Sequence, residues 1–177
     1  MIDPLRALVS ILISLSVSPA ANAQIEPVVT VEPVTLLNDG AVAGCGLTTF
    51  GRVGSTSATA EFIAFRDGDR TAFAIRARPD ANGGTPKAIR LTTTSHDTAH
   101  LFPPSGIING GILETRTVLD GFLGSSFAQE LMVMGGRFEI VTTAGEIIAF
   151  DLPRPMPHRV RQAYLNCAGD LFRPEAD

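Results

Sequence analysis

The sequence predicts a mainly β fold: a single antiparallel β-sandwich or rolled sheet, with two short helices late in the chain. Two hairpin signals and a change of period carry that expectation. Residues 59–66 (TAEFIAFR) and 71–78 (TAFAIRAR) flank Asp67-Gly68-Asp69-Arg70, and an Asp-Gly turn between alternating apolar runs is a strong short-range hairpin signal. Residues 137–143 (RFEIVTT) and 147–152 (IIAFDL) flank Ala144-Gly145-Glu146 in the same manner. At 127–134, and again after Pro157, the apolar spacing lengthens from two residues to three or four, which is the helical period.

The chain opens on a segment that is not part of this fold. Arg6 lies in a short leading region, residues 8–17 (LVSILISLSV) are apolar, and Ala21-Asn22-Ala23 ends the segment on small residues. This is the arrangement of a secretory signal peptide, whose peptidase accepts little more than a methyl group at the cleavage site. Cleavage is expected between Ala23 and Gln24. An uncleaved anchor is the competing reading, but a spanning helix needs about 20 apolar residues, and Pro19 and Asn22 close this run early. The expected organisation is a signal peptide over 1–23, an extended lead over 24–40 and a β-rich domain over 41–173. The cleaved protein would have no membrane span.

Along the mature chain, residues 24–37 (QIEPVVTVEPVTLL) mix β-branched residues with Pro27 and Pro33, which suits an extended lead or an edge strand. Asn38-Asp39-Gly40 is a turn, and 45–50 reads as a short strand among Gly44, Gly46 and Gly51. In the strand 71–78, Phe73, Ile75 and Ala77 share one face, and Ala72, Ala74, Arg76 and Arg78 the other. A loop over 79–86 and a strand over 87–95 follow; residues 96–106 are polar and broken by Pro103-Pro104. Residues 107–119 suggest a turn between short strands. Ser126 with Gln129 forms a capping-box pattern ahead of a helix at 127–134, on which Phe127, Leu131 and Met134 share a face before Gly135-Gly136 stop it. In the last helix Pro157 suits the first turn, Val160, Ala163, Tyr164 and Cys167 point inward, and Gly169 is a natural stop.

Charge and composition exclude more than they assign. The net charge is −4, and loss of residues 1–23 leaves it there because Arg6 and Asp3 leave together. A mildly acidic chain gives no electrostatic reason to bind nucleic acid or an anionic membrane. Arg66, Arg70, Arg76, Arg78 and Arg90 alternate with Asp67, Asp69 and Asp80, so they read as a solvated, partly self-paired face rather than an anion patch. With no Trp and one Tyr, Tyr164, an aromatic sugar platform is not expected. Cys45 and Cys167 are the two cysteines, and in an oxidising compartment an even pair is most simply one disulfide, tying the last helix to an early strand. Two buried free thiols are the alternative.

His96-Asp97-Thr98-Ala99-His100 is the motif closest to chemistry. On a helix His96 and His100 would sit one turn apart and could grip a zinc ion, with Asp97 in place of the Glu of an H-E-x-x-H pattern. On an extended strand they would be about 13 Å apart and could not share an ion. The strand character of the preceding residues favours a polar loop, so no metal site and no cofactor are assigned. Gly54-Ser55 and Gly124-Ser125 are lone dipeptides without a nucleophile-elbow pattern. His158 reads as a surface residue, and Asp67 with Asp69 as a solvated turn rather than a calcium site.

The order of short helix, glycine stop, hairpin and closing helix over 125–167 (SSFAQELMVM, GG, RFEIVTT, AGE, IIAFDLP, VRQAYLNC) resembles the C-terminal part of invasion-associated locus B-like proteins and related periplasmic domains of proteobacteria. The resemblance covers about a quarter of the chain. It departs at Leu152-Pro153-Arg154-Pro155, where that group tends to a Leu-x-Gly-Phe type junction, and in its sparser cysteines. It implies a sandwich-like envelope protein without established catalysis and transfers no site residues. The expected function is therefore that of an exported periplasmic or extracellular protein, non-catalytic, acting by contact with another envelope or extracellular protein. A small secreted hydrolase using the 96–100 region is the alternative from a different class, and a structural envelope component is a third.

Overall fold

The computed structural model describes residues 28–68, 70–98, 106–119 and 121–172. The predicted cleavage point at Ala23 and Gln24 lies outside them, as does His100. The fold is mainly β, with two antiparallel sheets and two helices, in keeping with a sandwich.

The first sheet has six strands in the order β1 (Val28–Asn38), β2 (Ala41–Val53), β3 (Thr56–Asp67), β4 (Arg70–Pro79), β7 (Ile112–Leu119), β6 (Ile107–Asn109). The first four follow one another as a meander, because each link is a tight turn. Asp39 and Gly40 both have positive φ, 50° and 81°, which is what a type I′ hairpin turn requires and what Asp-Gly tolerates. Residues 28–38 of the extended lead take the edge-strand form, paired with β2 from Val28–Arg52 to Asn38–Ala41.

The second sheet has three strands in the order β5 (Pro86–Thr92), β8 (Arg137–Thr142), β9 (Ile147–Asp151). Helices α1 (Gly121–Met134) and α2 (His158–Leu171) complete the second layer, α1 against β4 and β7, α2 against β1 and β2. One continuous core includes Leu47, Phe62, Phe73 and Ile75 of the large sheet, Leu91, Phe138, Ile140 and Phe150 of the small one, and Phe127, Leu131 and Val160 of the helices, all essentially inaccessible to solvent. Phe62 stacks on Phe73 at 5.5 Å and tilts against Phe127 at 5.3 Å, so the same ring ties the sheet to α1.

Three local expectations are corrected. The strand expected over 45–50 extends over 41–53, since Gly44, Gly46 and Gly51 do not interrupt it. Gly51 is needed there: a Cβ at that position would overlap the buried ring of Phe150 where the two sheets meet. The first helix begins at Gly121 rather than 127, so Ser125 and Ser126 lie within it and Ser126 is not its cap. The added turn is retained by packing, because Gly124 brings the helix so close to Phe73 that a Cβ would sit 2.6 Å from its ring. The last helix runs through Gly169 to Leu171, and Pro157 is its N-cap rather than part of its first turn. Its C-terminal end is held instead by the Arg66 guanidinium, which donates to the Leu171 carbonyl at 2.6 Å, a favourable place for a cation.

Among the described residues no helix is long and apolar enough to cross a membrane.

Candidate functional site

The two helices do not close over the large sheet. Between them lies a half-open groove of about 790 Å³. Ala64 and Phe73 form its floor, Gly124, Ala128 and Met132 line the α1 side, and Arg161, Tyr164 and Leu165 line the α2 side. The small side chains of Ala64 and Ala128 line the space, while Gly124 lets α1 press closely on Phe73. Burial pushes the Tyr164 hydroxyl up to about 12, so it stays neutral at any physiological pH. Arg161 brings the groove's one arginine among the described residues, and its Nε is buried with no hydrogen-bond partner among them. The described lining contains no Asp or Glu. His158 and Ser125, which the sequence assigned to the surface and to a helix start, are both exposed residues on this rim.

A second polar cluster lies on the other side of α1. Residues 93–96 form a tight turn after β5, closed by Thr93 N–H donating to the His96 carbonyl at 2.8 Å. Glu130 reaches this turn from α1. Its Oε2 lies 2.6 Å from His96 Nδ1 and accepts from the Thr93 hydroxyl at 2.8 Å, while Oε1 accepts from Ser95 N–H at 2.8 Å. Phe127 meets the imidazole edge-on at 5.7 Å. The His96 and Glu130 side chains are only 16% and 13% exposed. Burial acts to raise the Glu130 carboxyl, but the donors from His96, Thr93 and Ser95 outweigh it and hold the group below its ordinary value of 4.5. A carboxylate at Nδ1 fixes the orientation of the ring.

The structure separates the motif residues from one another. His96 belongs to a turn and not to a helix, and Asp97 is engaged by the Arg90 guanidinium in a forked ion pair, with Arg90 Nε donating to Oδ1 at 2.7 Å. Among the described residues no three His, Cys, Asp or Glu side chains gather as a metal would need. Glu130 was not singled out from the sequence, although it is the one acid in an otherwise uncharged helix, which is a signal that it has a partner. Within the arginine group, Arg76 lies between Glu61 and Glu114 and Arg90 also approaches Glu139, while Asp80 accepts from the Ser57 hydroxyl and N–H.

Cys45 and Cys167 are joined in a disulfide with Cα atoms 5.7 Å apart. The bond pins α2, one wall of the groove, to β2.

The two edges of the large sheet differ. The β1 edge carries Pro33, and Glu32 there pairs with Arg159 of α2 at 2.6 Å, devices that discourage a foreign strand. At the other edge β6 presents Ile107, 77% exposed, and Ile108, 50% exposed, and no described strand pairs beyond it. Compared with known protein families, curated proteins and solved structures, the chain matches none.

Proposed function

We propose that this is an exported, non-catalytic protein of the periplasm or extracellular medium that acts by contact with another envelope or extracellular protein. The observation that carries the contact is the β6 edge: a short strand with two exposed isoleucines and no described strand beyond it invites a partner strand, whereas the opposite edge is defended. Export is supported by the apolar leader ending at Ala23 and by a disulfide that suits an oxidising compartment. The resemblance of residues 125–167 to invasion-associated locus B-like proteins fits the same setting. Affinity capture from the exported fraction tests the reading. The native chain should retain one stoichiometric partner, and I107K/I108K should lose it with the melting temperature unchanged. A native chain that retains no stoichiometric partner overturns the proposal.

The hydrolase reading keeps one specific support, the buried Glu130 carboxylate that orients His96. An ester and amide substrate panel, with equilibrium dialysis against zinc, tests it. Turnover or stoichiometric zinc binding that disappears in H96A would favour the enzyme over the contact protein.

A further inference from the structure

We propose that the groove between α1 and α2 binds an apolar carboxylate, an acid whose hydrocarbon body lies between the helices and whose head meets Arg161. This goes beyond the contact reading and uses a different part of the molecule.

Two arginines among the described residues are half-buried, Arg76 and Arg161. Arg76 is held between two glutamates. Arg161 has no such partner: its Nε is buried without an acceptor, and no acid lines the groove among the described residues. The Arg161 side chain lines the groove without a counter-charge in the described lining, and a carboxylate head on a ligand would supply one. The rest of the groove specifies the body of that ligand. Along α2, residues 158, 161, 165, 168 and 172 follow the helical repeat and all line the groove. His158 and Arg161 make one end polar, and Leu165, Ala168 and Phe172 make the other end apolar, with Leu165 65% and Phe172 41% exposed. From Arg161 to Phe172 the helix rises about 16 Å, room for a medium-length fatty acid such as dodecanoate. The volume falls within the usual span of small-molecule sites.

Isothermal titration of the full exported protein with dodecanoate, below its micelle-forming concentration, and with dodecanol tests this. The native chain should bind dodecanoate about tenfold or more tightly than dodecanol, the worth of one charge-assisted hydrogen bond. R161Q should abolish that preference. L165D, a change at an exposed position that places an acid at the apolar end, should weaken dodecanoate by a similar factor while the melting temperature stays native. I107K/I108K should bind dodecanoate as the native chain does, so failure of the β6 contact and failure of the groove are told apart. No binding by the native chain, equal affinity for acid and alcohol, or a preference for the acid that survives in R161Q would each overturn the proposal.

Discussion

Cys167 of α2 is bonded to Cys45 of β2 across a sequence separation of 122, and that bond joins the wall of the groove to the sheet beneath it. In the chain-entropy account, a loop of this length makes the bond worth about 4–5 kcal/mol, mostly by restricting the unfolded chain. The C45A/C167A protein should therefore unfold at a markedly lower urea midpoint than the native chain. Because α2 also packs on β1 and β2 without the bond, the variant should still fold at low denaturant. Urea titration followed by circular dichroism measures the difference; an unchanged midpoint would refute it.

The Glu130 carboxylate couples α1 to the turn after β5. Its value in the folded state lies below the ordinary 4.5, so the unfolded chain takes up the proton more readily. The stability it contributes is fully present above 4.5 and is lost as pH falls through the lower folded value. E130Q should cost about 1–2 kcal/mol at neutral pH, since its charge-assisted hydrogen bonds become neutral ones. The gap between E130Q and the native chain should narrow as pH drops below 4.5. Chemical denaturation of both proteins across that range checks the direction.

These two contacts mark the limit of what the linear chain reveals. The hairpin of β3 and β4 was readable because alternation and an Asp-Gly turn are local and agree. The full length of β2 was not, because Gly44, Gly46 and Gly51 weaken a strand signal and are explained by what lies above them, such as the Phe150 ring over Gly51. The start of α1 was hidden for a similar reason, since contact with Phe73 outweighs the cap suggested by Ser126 and Gln129. The disulfide could be anticipated from an even pair of cysteines. The His96–Glu130 contact could not, because 34 residues separate them. Arg161 stood out only once the acids had been placed elsewhere in three dimensions.

Two glycines should respond in opposite ways to alanine. At Gly51 the new methyl group would press on Phe150, which is fully buried and cannot swing away, so G51A should destabilise by about 1–3 kcal/mol. Gly169 lies within α2, and its Cβ would meet nothing within 4 Å. G169A should stabilise by up to about 1 kcal/mol through helix propensity. Thermal melts of the two variants, compared with the native chain, decide both signs.

On the outer face of the large sheet Arg76 stands directly opposite Glu61 on β3 and Glu114 on β7, so one cation separates two carboxylates across three adjacent strands. Burial acts to raise the Glu114 carboxyl, but Arg116 and Arg76 outweigh it and hold the group below 4.5. R76M removes the shared cation and leaves the two glutamates facing each other across an uncharged side chain. Opposite-charge pairs across strands contribute roughly 0.2–1 kcal/mol each, so loss of both should cost about 0.4–2 kcal/mol at neutral pH. Since Glu114 contributes above 4.5 and its contribution fades as pH falls through the folded value, the defect of R76M should shrink in acid. Adding E61Q to R76M should recover part of the loss at neutral pH by removing one of the two facing charges. A urea-denaturation cycle over the single and double variants measures that coupling, and strict additivity would show that the three side chains do not act as a unit.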